Sequence, residues 1–274
     1  MGALMIAMLC SASLAFFFKE TEKRNLNRLW VTTANYVVAT GVGIWMVIQS
    51  PPEQWPPLSF FAMAGFTGFL FFESFLLYQK NVRDYGASLT GFYGKLGILL
   101  PVVLSLAVFR EWPTFLQSVG IVLAILAIGI ANRTEKGKFE WVVPLLMLLV
   151  LNGMAEFMNK GFEAAYSFSL RPLWLATVFG TALLFSLVKS LAQKRPESVI
   201  WAWGLGIGVT NIFSSFFLIQ ALASLPAAVV FPSFGVGSML LIYLGSVGFY
   251  RERLTRMQWQ AAALSLIAIY LMNR

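Results

Sequence analysis

The chain has 274 residues, of which 58% are hydrophobic and only 12% are charged. A soluble domain carries about 25% charged residues, so the composition excludes an ordinary soluble enzyme and predicts a membrane protein. The net charge of +8 does not indicate nucleic-acid binding, because the basic residues lie in short clusters between apolar segments. With a single cysteine, Cys10, and no histidine, we expect no disulfide, no metal site and no cofactor.

Apolar segments follow one another along the whole chain, each close to the roughly 20 residues that a helix needs to cross a bilayer. The period-2 alternation of a membrane β-barrel is absent, so the segments predict transmembrane helices. The first is expected to be retained, because a charged cluster rather than a cleavage site follows it. The ten predicted segments are residues 2–18, 30–49, 58–78, 86–109, 114–131, 141–160, 172–191, 199–221, 226–249 and 256–272.

The two halves of the sequence match when one is laid over the other at an offset of 141 residues. The matches between polar residues are the informative ones, since a composition rich in apolar residues does not produce them by chance. Gln79 falls on Gln220, and Arg110 falls on Arg251. A duplication of five helices, an odd number, makes the second copy enter the membrane from the opposite side. We therefore expect an all-α membrane protein of two inverted five-helix repeats, residues 1–132 and 140–274, joined by a linker at 133–139.

The basic residues are unevenly divided between the two sides of the predicted bundle. The connections that follow the odd-numbered helices hold fifteen Lys and Arg, and the other side holds four. The positive-inside rule places the richer side in the cytoplasm and both termini outside it. We expect a multi-pass protein of the inner membrane with this orientation.

Three charged residues lie well inside predicted helices, where a charge costs about 2.5 to 3.5 kcal/mol and is by default a functional candidate. Glu73 and Lys95 are displaced toward the same connection, so a direct pair between them is feasible. Glu156 lies at another depth, with Lys160 one helical turn away as its natural partner. Such pairs either form polar walls of a substrate cavity or only neutralise each other between helices, and the sequence leaves both readings open.

Aromatic residues give a second, less specific set of candidates. Trp203 lies near the start of the eighth predicted helix, where an interfacial aromatic belt is the first interpretation. Tyr93 and Tyr243 lie deeper, in the fourth and ninth helices, and could stack on a substrate or face a cation; packing is the simpler alternative. The predicted substrate-binding residues are Glu73, Lys95, Tyr93, Glu156, Tyr243 and Trp203.

A short motif occurs at the connection between the fourth and fifth helices of each repeat: a glutamate followed by threonine and glutamine. On this motif, and on the lysine that ends the first helix of each copy, the chain resembles the EamA-like branch of the drug/metabolite transporter superfamily. The proline that relatives often carry before the glutamate is replaced by Gly97 and Ser238. The motif residues are Glu111, Thr114 and Gln117, then Glu252, Thr255 and Gln258, and the lysines are Lys19 and Lys160.

The resemblance implies a secondary transporter with a central cavity that works by alternating access, not an enzyme. We expect it to export a small metabolite, such as an amino acid or an amphipathic organic compound. Burial and a neighbouring lysine act in opposite directions on the protonation of Glu73, so proton coupling is left open. The alternative is a non-transporting scaffold or receptor subunit that uses the same fold.

Overall fold

The computed structural model describes residues 1–85, 90, 93, 94, 96–110, 112–131, 143–251 and 256–274, with the backbone alone at 82, 83, 131, 250 and 258. Within these residues the secondary structure is helical and contains no strand. The helices in chain order are α1 (Gly2–Lys23), α2 (Arg28–Gln49), α3 (Leu58–Tyr85), α4 (Leu99–Phe109), α5 (Phe115–Ala131), α6 (Val143–Ala165), α7 (Arg171–Leu191), α8 (Val199–Leu222), α9 (Ala227–Tyr250) and α10 (Arg256–Met272).

The described helices follow the predicted segments closely. Helices α1 and α3 continue past the predicted ends to Lys23 and Tyr85. The extension of α1 runs through residues that are mostly Lys and Glu, and the extension of α3 includes Gln79, Lys80 and Arg83; all of these residue types are good helix formers outside the membrane as well. The predicted linker, 133–139, lies outside the described residues.

Helix α4 is preceded by a break at Gly97 and Ile98, where the backbone forms a turn between helical residues. Pro101 has no N–H to donate to the carbonyl of Gly97, and that carbonyl accepts instead from Leu100 at 3.1 Å. Pro232, in the fourth helix of the second repeat, lies inside α9 without ending it. The interruption of the fourth segment therefore has no equivalent at Pro232.

Six of the described helices are long and apolar enough to cross a membrane: α1, α2, α3, α7, α8 and α9. Helices α4, α5 and α10 are shorter but apolar. Helix α6 carries three charged residues, Glu156, Lys160 and Glu163. The chain is a multi-pass membrane protein.

Helices α2 and α7 pack against each other along their length. Near the start of α2, the hydroxyl of Thr33 lies 2.6 Å from those of Ser186 and Ser190, both near the end of α7. Further along α2, a Cβ placed on Gly43 would lie 2.9 Å from the Cα of Ala176, near the start of α7. The order of contacts is reversed, so the two helices are antiparallel, and only a glycine allows their approach at position 43.

Other contacts also join the two halves of the chain. Helix α3 runs antiparallel to α6: the amide of Asn81 donates to the carbonyl of Pro144 at 2.9 Å, and Ser59 and Tyr166 share a hydrogen bond of 3.2 Å. Helix α1 packs on α8 in the same antiparallel sense. Helix α5 packs on α10. In each pair, a helix from the first half contacts one from the second half.

The ends of α4 and α9 have the same local structure. Arg110 and Arg251, 141 residues apart, both take the left-handed conformation, with φ of 54° and 51°. A left-handed residue at this position ends a helix, and it is less common for a residue other than glycine. The sequence match between the two arginines thus extends to their backbone conformation.

One end of the bundle collects the basic connections. The amide of Asn27 donates to Gln193 at 2.7 Å, and the indole N–H of Trp30 donates to the carbonyl of Lys194 at 2.7 Å. The connections after α1 and after α7 therefore lie together, as the charge tally groups them. We call this the basic end; the end at which α6 ends and α7 begins is the opposite end.

Candidate functional site

Glu73 lies on the side of α3 that faces α7. Its Oε1 is 3.5 Å from the Nζ of Lys189, whose ammonium also lies 5.1 Å from the centre of the Phe72 ring. Both charged side chains are partly exposed, at 34% for Glu73 and 50% for Lys189. The predicted partner, Lys95, lies outside the described residues, so the Glu73–Lys95 pair stays a prediction.

Glu156 is connected to the core through an asparagine. The amide of Asn159 donates to Glu156 at 3.2 Å, and the indole N–H of Trp174 donates to the Oδ1 of Asn159 at 3.2 Å. Asn159 and Trp174 are fully buried, whereas Glu156 is half-buried. The three side chains form a polar link from α6 to α7, and Glu156 is its partly accessible end.

Lys160 is buried and forms an ion pair with Glu163. Its Nζ lies 2.6 Å from the Oε2 of Glu163 and 5.5 Å from the centre of the Phe109 ring, with 5% of the lysine exposed. The pair and the ring join the ends of α4 and α6 at the opposite end.

The three predicted aromatic residues lie in different places. Tyr93 is buried in an apolar cluster formed by α5, α6, α9 and α10. Tyr243 packs beside a cluster that joins α5, α9 and α10. Trp203 lies at the basic end, with the guanidinium of Arg24 5.1 Å above its ring and Phe17 at its edge. A contact of any of them with substrate stays a prediction.

A band of uncharged polar groups, which the sequence analysis did not single out, crosses the bundle between α2 and its neighbours. The amide of Gln79 donates to the hydroxyl of Thr32 at 3.2 Å. Deeper along α2, the amide of Asn211 donates to the Oδ1 of Asn35 at 3.1 Å. Asn35 and Thr32 are buried. The match of Gln79 with Gln220 at the 141-residue offset is the sequence feature that could have pointed to this band.

Two adjoining cavities open at the basic end. The larger has a volume of 390 Å³ and is bounded by Glu22, Asn27, Arg28, Gln79 and Gln193, among others. The second, of 360 Å³, shares Arg28 and Gln79 and is completed by Leu76 and Lys80. Polar groups predominate in the wall of the larger cavity, so it suits a hydrated polar molecule better than a lipid chain, whereas apolar surface predominates in the wall of the second.

Arg171 closes the space between α7 and α8 at the opposite end. Its guanidinium lies between two aromatic rings, 3.3 Å from the centre of Phe216 and 4.0 Å from that of Phe168. It also donates to the carbonyl of Phe216 at 3.4 Å and to Gln220 at 3.5 Å. With 9% exposure, the arginine is a buried cation held by rings and carbonyl oxygens.

Residues 1–133 match the EamA-like transporter family. This match places the first half of the chain in the drug/metabolite transporter superfamily. An uncharacterised protein of Haemophilus influenzae is 23% identical over 290 aligned positions, covering 98% of this chain and 97% of the relative. A solved crystal structure has the same fold, with a TM-score of 0.79 and 15% identity over 99% of this chain and 98% of that one. The family indicates a membrane transporter.

The motif that the chain shares with the EamA-like family has a structural role in the first half of the chain. The amide N–H of Thr114 donates to the side chain of Gln117 at 3.0 Å, and the N–H of Gln117 donates to the hydroxyl of Thr114 at 3.3 Å. This reciprocal pair is a capping box that starts α5. Glu111, Glu252 and Thr255 lie outside the described residues, as does the side chain of Gln258.

Proposed function

We propose that the protein is a secondary transporter that exports a small polar or amphipathic metabolite, such as an amino acid, across the inner membrane by alternating access. The observation that carries the proposal is the antiparallel contact of α2 with α7. The 141-residue offset makes these two helices equivalent, and equivalent helices of opposed repeats must cross the membrane in opposite directions. Rocking of one five-helix bundle against the other would then expose a shared site to each side in turn.

The difference between the two ends of the bundle supports a state open at the basic end. The basic end carries the polar cavities, whereas Arg171 fills the equivalent space at the opposite end. If the positive-inside rule holds, the basic end faces the cytoplasm, and a site that opens there loads substrate for export.

The polar groups along this route favour a substrate without a large net charge. Glu73 is paired with Lys189, and Lys160 with Glu163, so carboxylates and cations balance. Amide and hydroxyl groups line the rest of the route. A zwitterion fits this balance better than a strongly anionic compound, because the extra negative charge of the anion would have no partner of opposite charge in the site. We assign Glu73, Glu156 and Lys95 to the substrate pathway, and Tyr93, Tyr243 and Trp203 to its aromatic surroundings.

Reconstitution into liposomes tests the proposed function. Proteoliposomes would be given a panel of amino acids, quaternary amines and aromatic compounds, with and without a pH gradient. We expect saturable movement of at least one compound, and acceleration by the gradient if protons are the coupling ion. A scaffold or receptor subunit, the competing interpretation, would move none of them under any gradient.

Reporter tags at positions near 85 and 225 test the inverted arrangement separately. These positions follow the third helix of each predicted repeat. Opposed repeats place the two tags in different compartments. Tags that report the same compartment would rule out the proposed mechanism, whatever the liposomes show.

A further inference from the structure

The two cavities at the basic end differ in charge along their length. Glu22 lies in the wall of the 390 Å³ cavity, and Lys80 in the wall of the 360 Å³ cavity. Arg28 and Gln79 belong to both walls and lie between these two charges. The combined space therefore has a carboxylate at one side and an ammonium at the other.

Arg28 and Glu22 form a two-point ion pair. The Nε of Arg28 lies 2.5 Å from Oε1 of Glu22, and its Nη2 lies 2.6 Å from Oε2. Within the described part of the chain, Lys80 has no ion-pair partner and the Oε1 of Gln79 receives no hydrogen bond. The cavity thus offers an anion-binding ammonium, a paired but accessible carboxylate, and an amide acceptor between them.

The amide wall of this space is fixed in place by the protein. The Oδ1 of Asn27 accepts from the backbone N–H of Leu29 at 3.1 Å and caps α2. The amide of Asn27 holds Gln193 at 2.7 Å, and the amide of Gln79 is held by Thr32. A wall that is held in this way needs little reordering when a ligand binds.

We propose that these cavities form an entrance site for a small dipolar molecule with one anionic and one cationic group, such as a free amino acid. Its carboxylate lies between Arg28 and Lys80, and its ammonium lies at Glu22. The inference rests on the proposed transport function and names the place where substrate is first recognised. An anion alone would meet the Glu22 carboxylate, whereas a dipolar ligand pairs each of its charges with an opposite one.

The position of the site fits an entrance rather than the centre of the membrane. Both cavities lie at an end of the bundle, and Gln79 lies six residues beyond Glu73 on the same helix, about 9 Å along its axis. A molecule released from Gln79 toward the interior would reach the Glu73–Lys189 pair next. Each cavity falls within the usual range of ligand sites, about 300 to 1,000 Å³.

A charge-swapped variant provides the test. Glu22→Arg with Arg28→Glu preserves the ion pair, and it puts a carboxylate at the first position of α2, where the helix dipole favours it. The control is Glu20→Lys with Lys23→Glu, which reverses a neighbouring surface pair of 2.9 Å outside the cavity wall. The unfolding temperature without ligand verifies that the swap and the control both fold. Lys80→Gln, which changes an exposed side chain, is a further test of the cavity.

The probes are the common L-amino acids and, for those that bind, their N-acetyl and amide derivatives. Binding is read as the ligand-induced shift in unfolding temperature of the purified protein, and transport as uptake by proteoliposomes. We expect the swap to weaken binding by about tenfold or more, as loss of charge-assisted contacts does, and the control to bind like the original protein. Lys80→Gln should weaken binding of the amino acid but not binding of its amide, which lacks the carboxylate.

The outcomes separate this proposal from the proposed function. Transport that continues with an unchanged apparent KM in the swap and in Lys80→Gln overturns the entrance site and leaves the transporter. Binding that the swap abolishes, with no transport of any probe, supports the site and contradicts the transporter. An N-acetyl derivative that binds as well as its parent shows a site for anions alone and overturns dipolar recognition. A panel that neither binds nor moves overturns both.

Discussion

Gln79 and Gln220 occupy equivalent positions 141 residues apart but have different partners. Gln79 donates to Thr32 and faces the cavity at the basic end, whereas Gln220 accepts from the guanidinium of Arg171 at the opposite end. The position equivalent to Arg171 is Trp30, whose indole points instead to Lys194. Equivalent glutamines thus lie at an open and a closed end of one molecule.

Replacing Arg171 by lysine should favour opening of the opposite end. Lysine keeps the charge but loses the planar group that lies between Phe216 and Phe168 and reaches Gln220. Loss of these contacts is worth about 1.4 kcal/mol or more, so the open population should rise about tenfold. The measurement is the rate at which an impermeant maleimide modifies Phe213→Cys from that side, in a Cys10→Ser background.

Arg195→Lys is the matched control, because Arg195 is exposed in the connection between α7 and α8. It should leave the labelling rate unchanged. Equal rates in the Arg171→Lys variant and in this control would show that Arg171 does not keep the end closed.

Replacing Glu73 by glutamine should reduce transport much more than stability. The pair with Lys189 is partly exposed, so its loss costs about 0.2 to 1 kcal/mol of unfolding free energy. A carboxylate that binds substrate or carries a proton gives a larger effect, which we expect to be about tenfold or more in transport rate. Transport by Glu73→Gln would be followed across pH, with the exposed Glu53→Gln as control. A rate and pH profile that match the original protein would remove Glu73 from the pathway.

The positions of the helices along the chain were predictable because each apolar segment is long enough to form one membrane-crossing helix. The contact of Glu73 with Lys189 was not predicted, because depth along the membrane was compared only between neighbouring helices, and Lys189 comes from α7, more than a hundred residues away. Lys189 lies in the last turn of α7, and it is one of the fifteen basic residues that the charge tally counted with the connections. A long lysine side chain can reach several ångströms back along a helix, and depth counted by residue number misses this.

The Lys160–Glu163 ion pair is a second contact that the sequence did not predict, here between residues close in the chain. Both Glu156 and Glu163 lie within one turn of it, and helical spacing does not choose between them. The choice depends on tertiary contacts: Asn159 holds Glu156 while it also bonds Trp174, and Lys160 pairs with Glu163 beside Phe109. Such contacts between distant parts of the chain leave no pattern in a single sequence.

Replacing Asn159 by leucine should destabilise the protein. The change leaves the indole N–H of buried Trp174 without its acceptor and removes the donor to Glu156. An unsatisfied buried donor costs about 1 to 3 kcal/mol. Unfolding temperature in detergent checks this, with Gln49→Leu at the exposed end of α2 as the control. Equal stability of the original protein and Asn159→Leu would contradict the network.

Cross-linking tests the contact on which the proposed mechanism depends. A Cβ built at Gly180 would lie 3.6 Å from Cγ2 of Thr40, and Thr40 is equivalent to Thr181 in the 141-residue register. The pair therefore lies close to the centre of the antiparallel contact between α2 and α7. Cysteines at positions 40 and 180, in a Cys10→Ser background, should form a disulfide on mild oxidation, since the Cβ at position 180 lies 3.6 Å from the side-chain atom of Thr40 whose place a sulfur can take.

The control pair joins Thr40→Cys to Leu191→Cys at the far end of α7, which should not cross-link. If α2 and α7 stay in contact while the bundles rock, the disulfide should also slow transport, and reduction should restore it. Cross-linking of the control pair but not of positions 40 and 180 would place the helices in another register. The two repeats could then not be related through this contact.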